Sequence, residues 1–384
     1  MNILATPAKC RLWRFLVLIA VAFFPGPADA SDPLKIALIL ARTGIAAEDN
    51  APAVRAAELA IQEINEQGGL RGHPLAYVVI DNQSCPIGAK KAAEKAVKQK
   101  VTAVIGALWS SHCLPMARTL QDARIPMITP TASNPGITRT GDCIFRVCFD
   151  DAFQGRVMAQ FAYSVLGCRR AAVLRNSNEE YSLTLAEYFT LFFEQSGGKA
   201  PWQGNYKGTA VDFTELLREV KLVHPDAFFI PGYARDSGLV VKQAVGLGIR
   251  TTFLGGDGWG DTIFEYAGNA LEGSYYSTHW HPEVPFVASR HLQKQYRERY
   301  GINRVTDVRI PLTYDAVHLF ADAVRRAGSG DRSRILESLA RTRDFRGATG
   351  TVTFDPNGDP VSKEAGIIKF ERGSWVFVKS VSPK

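Results

Sequence analysis

The chain repeatedly sets a short, almost uninterrupted apolar run ahead of a helical stripe, and that alternation restricts its fold more than any other feature. "KIALIL" (35–40), "LAYVVI" (75–80), "VTAVIG" (101–106), "IPMI" (125–128) and "CIFRV" (143–147) are too continuously apolar for strands with one wet face. They suit a parallel sheet covered by helices on both sides. Between the first two runs, Val54, Ala57, Ile61 and Ile64 recur at spacings of three and four, which predicts a helix from about Asn50 to Gln67. Pro52 then lies in its first turn and Gly68-Gly69 stop it. Helices are expected likewise over 87–100 and 111–122.

The same grammar restarts after Phe149. "FDDAFQGRVMAQFAYSVLG" opens a helix, "RAAVLR" a strand, 179–196 a helix, 212–222 another, "DAFFIP" a strand, and "TTFLGGDGWG" a strand ending in glycines. Long helices follow over 286–300, 309–327 and 331–341, and the tail returns to strands in "GTVTFD", "AGIIKF" and "SWVFVKS". The fold class is therefore α/β with two Rossmann-like lobes. A chain of this length exceeds what one core holds efficiently. The joints predict one lobe from 31–149 and 281–345 and the other from 150–280 and 346–384, with crossings near Phe149–Asp151, Thr278–Pro282 and Arg343–Gly350.

Residues 1–30 read as a signal peptide. Lys9, Arg11 and Arg14 precede the apolar "FLVLIAVAFF", and "PADA" supplies a small-residue cleavage site before Ser31. The run is too short to span a bilayer. Cys10 precedes it, whereas a lipid-anchoring cysteine would follow, so a cleaved, unanchored product is expected. Its removal leaves 42 basic against 37 acidic residues, a net +5. The lysines at 90, 91, 95, 98 and 100 form a solvated helix face with no interleaved aromatics, so no nucleic-acid partner is expected. Cys85, Cys113, Cys143, Cys148 and Cys168 remain, an odd number in an oxidising compartment, which leaves at least one thiol free. Neither CxxC nor Cys/His spacing suggests a metal, and no cofactor is expected.

In open parallel sheets ligands gather beyond the carboxyl ends of strands, where helix N-termini present free amides. Ser110 and Ser111 follow "VTAVIG", Thr131 and Ser133 follow "IPMI", Tyr181 follows "RAAVLR", Tyr233 follows "FFIPG", and Asp257 follows "TFLGG". Facing lobes would bring these to one cleft. A Ser-His nucleophile at Ser110, Ser111 and His112 is disfavoured because neighbours on a helix start point apart and no GxSxG elbow exists. One serine is expected to cap the helix, with both hydroxyls and the first-turn amides facing an anion. "GGDGWG" does not fit GxGxxG. Asp257 is either a turn carboxylate or a ligand group; if desolvated, it needs a cationic partner. His279, His281 and Glu283 lack regular metal spacing because of Pro282, and read instead as a lobe crossing. Trp109 and Trp259 are each core or pocket wall.

Taken in order, "KIALILARTG", "AAELAIQEINEQGGLRG", "VTAVIGALWSSH", "IPMITPTASNP", "FRVCFDDAFQG", "FIPGY" and "GGDGW" resemble the bacterial periplasmic binding proteins for leucine, isoleucine and valine. The resemblance runs from about Lys35 to Asp359. It implies the type I periplasmic binding protein fold, two lobes joined by a multi-strand hinge. It further implies a monomeric, non-enzymatic periplasmic receptor that passes an amino acid to an ABC transporter permease in the inner membrane, or alternatively feeds a separate signalling receptor. By the same resemblance, Ser110, Ser133 and nearby amides would hold the carboxylate. The ammonium would meet the Thr131 carbonyl, Ser133 and Asp257, and Tyr181 and Tyr233 would come from the second lobe. The chain departs from the leucine-binding pattern at three places. Trp109 replaces a cysteine, Asp257 stands for a glutamate, and "TGIAAEDN" lacks the tyrosine of "SGPxxxYG", with Asp49 near its place. An aromatic, small polar or amide-like ligand therefore joins the branched-chain candidates. The family's disulfide loops hold Cys85 and Cys113, which implies a bridge between them; Cys143 and Cys168 are a second candidate pair, and Cys148 the expected free thiol.

Overall fold

The computed structural model describes Met1 and residues 33–383. Residues 2–32, with nearly all of the signal peptide expected over 1–30, lie outside the described residues.

The first lobe is built on β1 (Lys35–Leu40), α1 (Ala47–Glu66), β2 (Ala76–Asp81), α2 (Pro86–Lys98), β3 (Ala103–Gly106), α3 (Ser110–Asp122), β4 (Met127–Thr129) and β5 (Ile144–Arg146). The five strands are parallel in the order β2-β1-β3-β4-β5, with Ile36 opposite Tyr77 on one side and Ala103 on the other. Residues Ile36 to Leu40 are completely buried, as their unbroken apolar run demands. The helix α1 begins before Asn50, because the Gly44 carbonyl receives the Ala47 amide (3.2 Å) and the Asn50 carboxamide bonds Ala41 and Ala46. Pro52 thus falls inside the helix rather than in its first turn.

The second lobe contains α4 (Asp151–Gln160), β6 (Arg170–Asn176), α5 (Glu180–Gln195), β7 (Lys199–Tyr206), α6 (Thr214–Leu222), β8 (Ala227–Phe229), α7 (Ala234–Gly246), β9 (Thr252–Gly255), α8 (Ile263–Ala267) and β10 (Tyr275–Thr278). The chain then returns to the first lobe through α9 (Val287–Tyr300), α10 (Arg309–Ala327), α11 (Arg332–Ala340) and the hairpin β11 (Phe345–Gly347) and β12 (Gly350–Val352). It ends in the second with β13 (Ala365–Glu371) and β14 (Ser374–Val381). The second sheet runs β14-β13-β10-β9-β8-β6-β7, parallel from β10 to β7 and antiparallel at β13 and β14. The strand β7 was not expected. It is an edge strand with an irregular register opposite Arg170–Ala172, which is where Pro201 is tolerated.

The cores fix the crossings. Cys148 packs in the first lobe and Phe149 in the second; the chain leaves the second lobe after Thr278, and Trp280 is buried in the first. The third crossing, expected between 345 and 346, falls instead after Phe354 and before Ala365. Ala348, Val352 and Phe354 are buried in the first core, and the Asp315 carboxylate accepts from the Ala348 (2.6 Å) and Thr349 (2.8 Å) amides.

The expected Cys85–Cys113 disulfide is absent, and every cysteine among the described residues is free. Cys85 caps α2, its sulfur accepting from the Gly88 amide at 3.3 Å. Cys113 turns into the lobe, donating to the Ala107 carbonyl (3.3 Å), and burial pushes its thiol up to about 12. Cys143 and Cys168 belong to the cores of different lobes, so their pairing is excluded as well.

Candidate functional site

The loops at the tips of β3, β4, β8 and β9 face one another across the two lobes and enclose one pocket. Trp109, Ser110, Thr131, Ser133, Tyr181, Tyr233, Asp257 and Trp259 all line it. On the first lobe, the Ser110 hydroxyl accepts from the Asn134 amide (3.2 Å), which leaves its proton free to donate. Thr131 is turned back, donating to the Leu108 carbonyl at 2.7 Å. The Ser133 hydroxyl is buried and has no hydrogen-bond partner. No serine caps α3, contrary to expectation: Trp109 occupies the capping position without a side-chain bond, and while the His112 amide donates to the Trp109 carbonyl at 3.1 Å, those of Ser110 and Ser111 stay available to an anion.

On the opposite wall Asp257 is nearly enclosed, its side chain 9% exposed. The Nε2 of His279 lies 3.1 Å from the Asp257 carboxylate, and Gln154 donates to it at 2.9 Å. Burial pushes this carboxyl up, but the neighbouring His279 and the bonds from Gln154 and Tyr181 outweigh it, leaving it below its ordinary value. Tyr181 accepts from the Gly258 amide (3.1 Å), and a Cβ on Gly256 would lie 2.4 Å from the Tyr181 hydroxyl. The glycines of "GGDGWG" therefore let this tyrosine approach the backbone. Behind Ser133, the Asp151 carboxyl is fully buried without a hydrogen-bond partner, and desolvation raises it well above its ordinary value.

A column of rings crosses the cleft. Tyr181 stacks on Tyr233 (5.5 Å between centroids), Tyr233 on Trp109 (4.1 Å), and Trp109 on His112 (5.3 Å). Trp109 is therefore pocket wall and inter-lobe contact at once. Trp259 is chiefly core: it is 1% exposed and donates to the Ile230 carbonyl at 2.9 Å. Burial lowers His112 to about 4, which keeps it neutral. Ser111 does not line the pocket. It donates to Glu179 of the second lobe at 2.8 Å, and close by Asn134 donates to Thr184 at 2.7 Å.

The same pocket is also lined by residues that sequence reasoning missed. Arg309, at the start of α10, is clamped by Asp307 (2.8 Å) and by Asp49 (2.7 Å), which the sequence had placed near the missing loop tyrosine, and Asp261 and Thr306 line the pocket too. A cation at a helix N-terminus opposes the macrodipole, so nothing local marks Arg309. His279, Gln154 and Asp151 were equally hidden; the only signal was the need of a buried Asp257 for a partner.

The model of the periplasmic binding protein family matches residues 33–373. The chain belongs to that family. A leucine-, isoleucine-, valine-, threonine- and alanine-binding protein of Pseudomonas aeruginosa is 30% identical to it over 359 residues, covering 91% of this chain and 93% of the relative. The crystal structure of a leucine-binding protein from Thermotoga maritima superposes with a TM-score of 0.86 at 33% identity, covering 91% of this chain and 99% of that one. The isoleucine complex of a branched-chain amino acid transporter substrate-binding protein from Streptococcus pneumoniae gives 0.85 at 27% identity, covering 92% and 100%. The two lobes thus form the type I periplasmic binding protein fold.

Proposed function

We propose that this protein is a periplasmic receptor that takes an amino acid or close analogue between its lobes and delivers it to the permease of an ABC importer. The observation that carries the reading is the opposition of two kinds of group in one cleft. The first lobe offers the unpartnered Ser133 hydroxyl, the Ser110 proton and the uncapped start of α3, all suited to a carboxylate. Asp257 on the second lobe suits an ammonium. Relatives named for leucine, isoleucine, valine, threonine and alanine, and a fold neighbour described with isoleucine, support an amino acid. The assignments of Ser110, Thr131, Ser133, Tyr181, Tyr233 and Asp257 to the ligand belong to this reading, with Trp109 and Trp259 as walls.

A ligand that touches both lobes stabilises the closed arrangement over the open one, and the closed arrangement is what a permease would recognise. Export by residues 1–30, a monomeric state and the absence of a chemical step complete the proposal. Titration calorimetry tests it: Asp257→Asn is expected to weaken amino-acid binding by more than about tenfold, since a buried charge loses its partner. Unchanged affinity would remove Asp257 from the site.

A further inference from the structure

The amino-acid-binding reading leaves open what the side chain of the ligand is, and one charged cluster in the pocket lining bears on that. Its charges do not balance. Besides Asp257, three carboxylates, Asp49, Asp261 and Asp307, line the pocket with one guanidinium, Arg309. Arg309 is already committed to Asp49 at 2.7 Å and Asp307 at 2.8 Å, which leaves that trio with one net negative charge. Asp261 has no ion pair among the described residues. The nearest positive charge acting on it is Arg304, which itself pairs with Glu283 at 3.6 Å, and the Thr306 hydroxyl is its hydrogen-bonding neighbour. Burial raises the Asp261 carboxyl, as expected of an acid enclosed without a counter-ion.

An aliphatic side chain reaching this cluster would desolvate the unbalanced carboxylates and offer nothing in return. An acidic one would add like charge. A cationic one would supply what is missing, with its methylene stem laid along the Trp109, Tyr233 and Trp259 walls and its charged head at the acids. Resting on the amino-acid reading, we propose that the preferred ligand is a basic amino acid, a diamino or guanidino acid. Its α-carboxylate and α-ammonium would sit at Ser110, Ser133 and Asp257, and its side-chain cation at Asp261 beside the Asp49–Arg309–Asp307 trio.

The test is calorimetric titration at pH 7 with lysine, ornithine, arginine, leucine, glutamine and glutamate. At least one basic amino acid is expected to bind about tenfold or more tighter than leucine, with glutamate weakest. Asp261→Asn should reduce the basic-to-leucine affinity ratio by about tenfold, and Asp261→Glu, which keeps the charge, should restore most of it. Unfolding temperatures measured without ligand identify a variant that fails to fold. Leucine or glutamine binding as tightly as every basic amino acid, or a ratio unmoved by Asp261→Asn in a folded protein, would overturn the inference and leave the receptor standing. Binding of none of the amino acids would overturn both.

Discussion

The Ser133 hydroxyl is buried with no partner in the protein, an arrangement that lowers stability unless a ligand completes it. Ser133→Ala should therefore leave the unfolding temperature of the free protein unchanged or slightly higher. It should also weaken the best amino acid by roughly 1.5–3 kcal/mol, the usual contribution of a hydrogen bond to a charged group. Calorimetry and thermal melts on one preparation give both numbers. Polar residues at strand tips were legible because the fold sends every such tip towards a cleft: Ser110, Ser133, Tyr181 and Asp257 all line it. Ser111 was misplaced because adjacent residues at a helix start diverge, so one faces the pocket and the other Glu179. The partner of Asp257 was illegible for a different reason. His279 arrives from the crossing after β10, and sequence spacing says nothing about which wall a hinge segment touches. The disulfide failed because resemblance carried over the two loops but not the directions of their thiols.

At the scale of elements, the joint between lobes is anchored by Arg146 at the end of β5. Its buried guanidinium donates to the Ala132 (3.2 Å) and Asn134 (3.0 Å) carbonyls and to Thr138 (2.8 Å), and it pairs with Asp359. That network ties the loop carrying Ser133 to the turn through which the chain leaves the first lobe for the last time. Asp359→Ala would strand a buried cation and should cost about 3–5 kcal/mol of unfolding free energy, read from denaturant titration; a loss under about 1 kcal/mol would remove Arg146 as the anchor. Buried strands and long amphipathic helices were readable because their periodicity is local. The strands β11 and β7 were not. Their residues alternate weakly, and what makes them strands is the Asp315 carboxylate in one case and the free edge of β6 in the other.

At the scale of the molecule, the lobes meet through contacts that need no ligand, among them the Trp109–Tyr233 stack and the Ser111–Glu179 bond. Burial raises Glu179 from 4.5 to about 7, with the charges of Asp236 and Glu180 adding and the Ser111 bond opposing. A carboxyl raised in the closed form binds more protons there than when opening returns it to solvent. Closure is thus favoured at low pH, and that advantage fades as pH rises from about 4.5 to about 7. Small-angle scattering of the free protein should show a radius of gyration that grows across this window, and Glu179→Gln should flatten the trend; an identical slope in the variant would exclude Glu179. Beneath this lies the claim that both ends of a zwitterion are held, one by each lobe. Calorimetric titration of the tightest amino acid beside its N-acetyl and methyl-ester derivatives tests that claim most directly. Each block should weaken binding by at least about a hundredfold, because each strips the charge from one end; either derivative binding within about threefold of the free amino acid would contradict it.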